Sequence, residues 1–479
     1  MSANPERLFD FSPYLEHLDF YRDLVKQFAA HDAFRSAEVE ELELDEDFYR
    51  RPLRPEDLDY IKFKRAVTPD RISLLPSLAG QRMLLCINEL DVARLPKEGS
   101  EKSFEEFHRF YGGDGRILAA RIRPFLENYV FSHLAEPFEA ADIDGYVSQL
   151  ADHLRSEATE WNKLFELLQY RDYVEEGLRF IFIQRWSLLP AKRAALAKAA
   201  AAGYFDILPE PVRPTFSVAG FDDALMRKLA DRVGVTKREH SYWQFYLSTS
   251  LAGGNLLHSF AARPDRALSL YGAAFAAEAE FIAFGCVVGQ GLARLSMMSG
   301  DQFGLELPAT IESITQRFRT VLIEVERLYG ARGVAEVAQG FVAARRLAAC
   351  AWDDLLEQMR WISAVEQYRD IAKSISERIE AERPDIDRET FIEPREMCST
   401  THVHNDHRLV VIQSGDMVFW ANLGMKLRMK PGEMVFVPKG RLHGSSIESD
   451  ECTYHQPIIP PEWIEPLVNE VQQRKAAAE

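Results

Sequence analysis

The feature that most limits what this chain can fold into is a pair of spaced histidine segments near its C-terminal end. The first, THVHNDHRLVVIQSG at residues 401–415, places His402 and His404 two residues apart, ahead of an alternating apolar run that ends on glycine. The second, GEMVFVPKGRLHG at residues 432–444, begins 17 residues after that glycine and contains His443. On a strand, an i, i+2 spacing puts both rings on one face. The pattern therefore predicts short strands that bring three imidazoles together.

Imidazole nitrogens from neighbouring strands suit Fe, Zn, Cu or Ni as metal ligands. We interpret His402, His404 and His443 as such a ligand set, because two independent spacings agree. The alternatives are a barrel that keeps its histidines without a metal, and a chance cluster.

The two segments resemble the two motifs of the cupin family, in which HxH is closed by a glycine and a PxG turn precedes a further histidine. The matching residues are Gly415 in the first motif and Gly432, Pro438, Gly440 and His443 in the second. The resemblance implies a C-terminal cupin β-barrel (jelly roll), and the alternation in residues 407–459 agrees with strands broken by Gly, Pro and Asn.

The position where cupins usually carry a ligand glutamate holds Arg408, and a guanidinium cannot ligate a metal. Three neutral ligands would leave a metal its full charge and open positions for O₂, water or substrate. Arg408 is a candidate partner for an anionic substrate group, or else a solvated strand residue that points outward, the orientation we expect.

Three other side chains near the histidines have two interpretations each. Tyr454 is a candidate proton donor lining the barrel, or a core tyrosine. Trp420 is a candidate pocket wall, or an exposed aromatic on an edge strand. His407 is expected on the opposite strand face, at the surface.

The 479 residues suggest about three domains. The net charge of −17, from 74 acidic and 57 basic residues, argues against nucleic acid or an anionic membrane as a partner. No apolar run of spanning length and no signal peptide are evident in the sequence. Five scattered cysteines without a CxxC pair predict reduced thiols and a cytoplasmic protein.

Before the histidine segments the pattern is helical. We expect helices in residues 1–135, a helical bundle in 136–381, and a linker followed by the barrel in 382–479. The bundle begins with an aspartate cap in DIDGYV, and an Ala-rich helix is expected to start at Pro190 and stop at Gly203. Residues 382–396, charged and containing two prolines, are interpreted as the linker.

Helices followed by a three-histidine cupin resemble the N-nitrosourea-forming enzymes of streptozotocin-type biosynthesis. The resemblance spans most of the chain and is strongest in YRRPLRPEDLDY, RIRPFLENYVF, HSYWQFYLSTSL, YGAAFAAEAE and RLHGSSIESDECTY. It implies a multidomain α plus β protein with a helical dimerisation segment, a haem-oxygenase-like di-iron bundle and an iron cupin. It also implies a homodimer, oxygenation of guanidine nitrogens in the bundle, and an N–N bond-forming rearrangement at the cupin iron.

A di-iron site needs about six Glu, Asp or His ligands from helices of one bundle. Between residues 154 and 401 the histidines are His240 and His258, and neither has a carboxylate at helical ligand spacing. The resemblance places Gln184, Glu278 and Glu312 at ligand positions. We therefore predict a bundle that has lost its metals. The alternative is an all-carboxylate site made from Glu210, Glu278, Glu280 and Glu312.

The function expected from these residues is that of an Fe(II)- and O₂-dependent oxidoreductase of the cupin type. Its substrate would be a small, nitrogen-rich amino-acid or guanidine derivative of a specialised-metabolite pathway, undergoing N-oxygenation or oxidative rearrangement. Two alternatives remain open. One is a catalytically silent binding or scaffold protein, and the other is a cupin isomerase or hydrolase that uses Zn²⁺ or Mn²⁺.

Overall fold

The chain folds as helices first and antiparallel strands last, which confirms the predicted fold class. The computed structural model describes residues 7–31, 58, 61–92, 95, 101–136, 138–169, 174–216, 221–236, 239–295, 307–383, 385–395, 398–422, 425–464 and 466–467. Of the five stretches that carry the family resemblance, YRRPLRPEDLDY at 49–60 lies almost wholly outside these residues.

The helices of the described residues run from residue 18 to residue 382. They are α1 (Leu18–Ala29), α2 (Leu75–Glu89), α3 (Glu101–Phe110), α4 (Gly113–Phe131), α5 (Ile143–Gln169), α6 (Val174–Ala201), α7 (Phe221–Val233), α8 (Ser248–Ala261), α9 (Ala267–Arg294), α10 (Leu307–Ile362) and α11 (Val365–Glu382). Helix α10 is interrupted by a kink at Gly330, whose φ is 66°.

Helices α5, α9 and α10 pack together, α6 packs on α8, and α2 joins α8 to α4. Helices α9 and α10 touch backbone to backbone: a Cβ at Gly340 would lie 1.8 Å from the Ser269 carbonyl oxygen. A Cβ at Gly272 would lie 1.9 Å from the Val337 carbonyl oxygen. Larger residues at either glycine would force these two helices apart.

The local helix signals are partly correct. Asp142 caps α5, since the Gly145 amide donates to its Oδ1 at 2.8 Å, as the sequence predicts. Gly203, with a φ of 79°, follows the end of α6 as expected. The predicted start at Pro190 is wrong, because α6 runs from Val174 through this proline. Pro190 is buried, so tertiary packing outweighs the hydrogen bond that proline removes from the helix.

One segment, Pro264–Arg294, is long and apolar enough to cross a membrane by length and composition, contrary to the expectation from sequence. In this protein, 83% of its most apolar window is buried inside the fold. The segment contains α9, which is surrounded by α5, α8 and α10. Its composition therefore fits a core helix that is apolar on all faces.

The C-terminal region is a small antiparallel β-structure of two sheets. The strands are β1 (Arg388–Pro394), β2 (Cys398–His402), β3 (His407–Ser414), β4 (Met417–Asn422), β5 (Met425–Met429), β6 (Met434–Val437), β7 (His443–Ile447) and β8 (Glu451–Ile459). They pair in the orders β1-β8-β3-β6 and β2-β7-β4-β5. Two four-stranded antiparallel sheets agree with the predicted cupin-like barrel.

The predicted linker at 382–396 is wrong in its second half, because Arg388–Pro394 forms β1 and pairs with β8 along its whole length. This strand lies at the edge of its sheet. An edge strand tolerates proline and charge, which hide its period-two pattern in the sequence.

The β-region packs firmly on the helices. One apolar cluster continues from the helical bundle into Val410, Phe419 and Tyr454 of the barrel. A second cluster joins Ile375 of α11 to Phe436 of β6. Side chains of the helices therefore lie within contact distance of the histidine segments, and the domain boundaries at 135 and 381 stay a prediction.

Candidate metal centre

The three histidines of the sequence pattern come together in the barrel. His402 ends β2 and lies directly opposite His443, the first residue of β7. His404 lies in the turn before β3, and its carbonyl accepts a hydrogen bond of 2.9 Å from the Gly440 amide. Gly440 has a φ of 75°, a conformation that favours glycine. The PxG turn thereby fixes the segment that carries His404.

One nitrogen from each imidazole can contribute to a common site. These three nitrogens all lie within 4.8 Å of one another. The ring centroids are 4.9 Å apart for His402 and His404, and 4.5 Å apart for His402 and His443. The Nδ1–H of His443 donates to the Arg441 carbonyl at 2.8 Å, which leaves the Nε2 lone pair available. Such a bond is how proteins set the tautomer of a metal-binding histidine.

The donor set fits a metal cation. Nε2 of His404 and Nε2 of His443 are buried and have no hydrogen-bond partner among the described residues. Burial lowers the pKa of His404 and of His443 well below the usual value of 6.5, and the neighbouring His402 lowers both further. Neutral imidazoles with unused lone pairs are the form that binds metal. Within the described part of the chain, this is the single group of three or more His, Cys, Asp or Glu side chains with metal-binding geometry.

Aromatic rings enclose the His443 side of the cluster. The Phe419 ring stacks on His443 with centroids 5.4 Å apart, and Trp361 of α10 approaches the same ring edge-on at 6.4 Å. Trp420 is only 7% exposed, so of its two interpretations the exposed aromatic on an edge strand is wrong. Its strand β4 lies between β5 and β7, and a Cβ at Gly444 would meet the Trp420 indole at 2.3 Å. Trp420 thus packs on the backbone beside His443.

Arg408 does not point into solvent, which corrects the expectation from sequence. Its side chain is 11% exposed, and Nη1 donates to Glu389 Oε2 at 2.5 Å. The same nitrogen donates to the Gln456 carbonyl at 3.1 Å. Arg408 lies two and four residues from Val410 and Ile412, on the same strand face, and these two side chains face the barrel interior. The guanidinium therefore lies on the inner face, already paired with one carboxylate.

Tyr454 and His407 occupy different faces of the same sheet. Tyr454 is buried and stacks on Phe391 with centroids 5.2 Å apart. His407 stacks on Phe436 at 5.7 Å, on the face that packs against α11, and accepts from the Lys439 amide at Nδ1. It is half-buried rather than on the surface as expected, and burial lowers its pKa to about 4. His407 lies outside the three-histidine group.

The residues that the family resemblance places at di-iron positions are used otherwise in this bundle. Gln184 makes two hydrogen bonds to the backbone of residues 245–247: Nε2 donates to the Phe245 carbonyl at 2.7 Å, and Oε1 accepts from the Leu247 amide at 2.8 Å. Glu278 pairs with Arg317 at 2.9 Å. Neither side chain belongs to a group with metal-binding geometry.

The proposed all-carboxylate alternative does not assemble. Glu280 pairs with Arg185 at 2.5 Å inside the bundle. Glu210 and Glu312 are exposed at the surface. The four glutamates of this alternative therefore do not converge in the structure.

His240 and His258 are both buried between the helices. Nε2 of His240 is 3.4 Å from Glu89 Oε1, and Nδ1 is 3.2 Å from the Tyr246 hydroxyl. His240 adopts a φ of 58°, which is uncommon for a residue other than glycine. Burial lowers the pKa of His258 to about 3. His240 thus serves internal polar contacts, and His258 is part of the buried helix packing.

A further pair of potential helical ligands begins one residue before the stretch from 154 to 401. His153 and Glu157 lie four residues apart on α5, and His153 Nδ1 is 4.0 Å from Glu157 Oε1. Burial raises the pKa of Glu157 to about 8, helped by the negative charge of Glu280, and lowers the pKa of His153 to about 4. The i, i+4 spacing in HLRSE is the signal that could have found them.

Glu280 and Arg185 line a cavity of about 50 Å³ in the bundle, together with Trp161 and Trp352. The Arg185 guanidinium lies 5.5 Å from the Trp161 ring. Glu280 therefore has its counter-charge within the protein, in the Arg185 guanidinium.

The fold and the site together define a class of protein: a helical region followed by a cupin-like β-barrel that presents three converging histidines. The chain matches no family model. It is 28% identical over 454 residues to the nitrosourea synthase of Streptomyces achromogenes subsp. streptozoticus. The matched region covers 90% of this chain and 94% of that protein, which confirms the resemblance inferred from the sequence.

Proposed function

We propose that this chain is an enzyme of specialised metabolism whose barrel binds one Fe(II) through His402, His404 and His443. The observation that carries the proposal is that one nitrogen from each of the three imidazoles lies within 4.8 Å of the other two, and that Nε2 of His404 and of His443 is buried without a hydrogen-bond partner among the described residues. A bound Fe(II) would supply O₂ binding and Lewis acidity. The protein residues hold the metal, exclude water on the aromatic side, and orient the substrate.

The substrate class we propose is a nitrogen-rich amino-acid or guanidine derivative, and the reaction is N-oxygenation or an N–N bond-forming rearrangement. Similarity to a nitrosourea synthase over nearly the full length of both chains supports this choice. Arg408 lies on the inner barrel face and offers a positive charge to an anionic substrate end, in competition with Glu389. Tyr454 is the proposed proton donor on the same sheet.

The test is O₂ uptake by anaerobically purified, Fe(II)-loaded protein with N-hydroxyguanidines, hydroxamates and α-amino acids. We expect O₂ consumption only with a chelating substrate, abolished in His443→Ala. Arg408→Ala should raise KM, and Glu389→Gln, which removes the competing carboxylate, should not. Equal uptake with and without every chelator would contradict the oxidative proposal.

The same assay separates the alternatives. Full turnover with Zn²⁺ or Mn²⁺ in place of iron would identify an isomerase or hydrolase. Product formation in the producing cells that survives His402→Ala would identify a scaffold protein.

We also propose a cytoplasmic homodimer formed through the first 130 residues or so. Phe20 of α1, Phe104 of α3 and Ile117 of α4 are large apolar side chains that are more than half exposed, which supports an interface there. Light scattering at micromolar concentration should give twice the chain mass, and Ile117→Asp should reduce it. A monomer mass for the unaltered protein would reject the dimer.

A further inference from the structure

The segments that carry His402 and His443 are held by side chains of the helical region. Gln358 of α10 makes two hydrogen bonds to the residue before His443: Nε2 donates to the Leu442 carbonyl at 2.9 Å, and Oε1 accepts from the Leu442 amide at 2.9 Å. Gln358 is fully buried. Because both bonds go to one residue, they fix its position and its orientation at once.

The residue that fixes the His443 tautomer is also tied to α10. The Arg441 carbonyl accepts from His443 Nδ1, and the Arg441 guanidinium donates to the Asp354 carbonyl and to Asp354 Oδ1, both at 3.0 Å. Both side chains of this pair are only 4% exposed. Asp354 Oδ2 in turn accepts from the Thr249 hydroxyl at 2.8 Å, so the carboxylate is held on both sides.

Arg82 of α2 makes hydrogen bonds to Thr401, the residue before His402 on β2, the strand that pairs with β7. Its guanidinium donates to the Thr401 carbonyl at 2.6 Å and to Thr401 Oγ1 at 3.0 Å. It also donates to the Gln244 carbonyl at 2.6 Å. The backbone beside two of the three histidines is thus fixed by residues outside the barrel.

We propose that Gln358 and Asp354 are positioning residues that hold His443 for metal binding, and that Arg82 does the same for His402. The inference rests on the proposed three-histidine metal site. The helical region thereby completes the metal site of the barrel. Partners of metal-binding histidines typically contribute about 10–100-fold to affinity.

The test measures Co(II) affinity by competition with a chelator, together with the visible absorption of bound Co(II). Gln358→Leu keeps the volume and removes both bonds, and it should weaken Co(II) binding by about 10–100-fold and shift the absorption bands. Gln358→Glu keeps an acceptor for the Leu442 amide and should restore part of the affinity. If Gln358→Leu does not fold, Asp354→Asn is the milder variant, with the same direction expected.

The matched control is Asn255→Leu, which removes a buried amide between α8 and α2 that bonds to Gln81 and Asn88. It should lower thermal stability comparably and leave Co(II) affinity within about twofold. Unchanged affinity in Gln358→Leu, or equal losses in both variants, would overturn the positioning role. Absence of Co(II) binding in the unaltered protein, matched by His443→Ala, would overturn the metal site itself.

Discussion

The bundle interior and the barrel interior both bury ionisable side chains, but these side chains have different partners in the two regions. In the bundle, Glu280 and Glu278 each face an arginine of the same protein. In the barrel, His404 and His443 keep buried nitrogens that no described group satisfies. These two bundle glutamates have their counter-charges within the protein, whereas the barrel histidines place their ligand nitrogens within 4.8 Å of one another.

This difference shows how a potential metal site can be judged without a metal. Residue type alone does not decide, because glutamates and histidines occur in both regions. Unused donor atoms alone do not decide either, because His153 Nε2 and Glu157 Oε2 in the bundle are also buried without a hydrogen-bond partner among the described residues. What decides is convergence: among the described residues, three potential ligand atoms lie within 4.8 Å of one another in the barrel. By this criterion the barrel histidines, rather than the bundle carboxylates, are the candidate metal ligands of the described residues.

The largest expected effect is loss of metal from the barrel. His443→Ala removes one of three ligands, so metal affinity should fall by more than the roughly 100-fold typical of outer partners. Metal analysis after dialysis should give near-zero occupancy. His407→Ala, which removes a histidine outside the cluster, should keep its metal. Full occupancy in single alanine variants of all three ligands would refute the site.

The next effect concerns the Arg185 guanidinium, which pairs with Glu280 inside the bundle. Arg185→Met should leave Glu280 buried without its partner and lower the free energy of unfolding by about 3–5 kcal/mol. Arg327→Met removes a surface pair with Glu324 and should change it by about 0.5 kcal/mol or less. Denaturant unfolding compares the two. Equal small effects would mean that the bundle does not depend on Arg185.

A smaller effect should appear in the pH dependence of stability. Glu157 has a pKa of about 8 in the folded protein against a usual value of 4.5. Between these pH values the folded state keeps a proton that the unfolded state releases, so stability falls as pH rises. Glu157→Gln cannot ionise, and its stability relative to the unaltered protein should improve from pH 5 to pH 8 by on the order of 2–3 kcal/mol.

Glu160→Gln, on the same helix, is the matched control for the loss of a carboxylate near the surface, where Glu160 pairs with Lys163. Thermal unfolding as a function of pH measures these stabilities. Parallel pH profiles for Glu157→Gln and the unaltered protein would contradict the raised pKa of Glu157.

The smallest expected effect is that of excess iron on the bundle. Titration of the unaltered protein should saturate near one equivalent per chain, because Glu278 and Glu280 already have arginine partners. His402→Ala should take up almost none. A stoichiometry near three, with the Mössbauer signature of an oxo-bridged pair, would show that the bundle binds iron after all.

The three histidines could be predicted from the sequence because local geometry determines them. The two-residue spacing of His402 and His404 keeps both rings at one site although β2 ends at His402, and Gly415 and Gly440 adopt the positive φ that their turns require. The order of helices and strands follows from periodicity in the same way. Strand β1 was missed because charged and proline residues mask an edge strand.

The support of the site could not be predicted, because it depends on contacts between distant segments. Gln358 lies 84 residues before Leu442, and Asp354 lies 87 residues before Arg441. No local pattern links them. The side-chain direction of Arg408 could not be predicted from the sequence either. Its partner Glu389 lies in β1, within the segment that the sequence predicts as a linker.

The hydrogen bonds from Arg82 to Thr401 have a consequence for folding during synthesis. Arg82 precedes Thr401 by 319 residues. At roughly 5–20 residues per second, about 15–60 s pass on the ribosome between the two. The helical region emerges first and can fold before the last strands appear, so the barrel segments arrive at a surface that is already shaped. In a chain truncated before residue 401, Gln358 and Asp354, which are buried in the full chain, would be exposed to solvent. Quality-control proteases would then meet an exposed polar surface on the helical region.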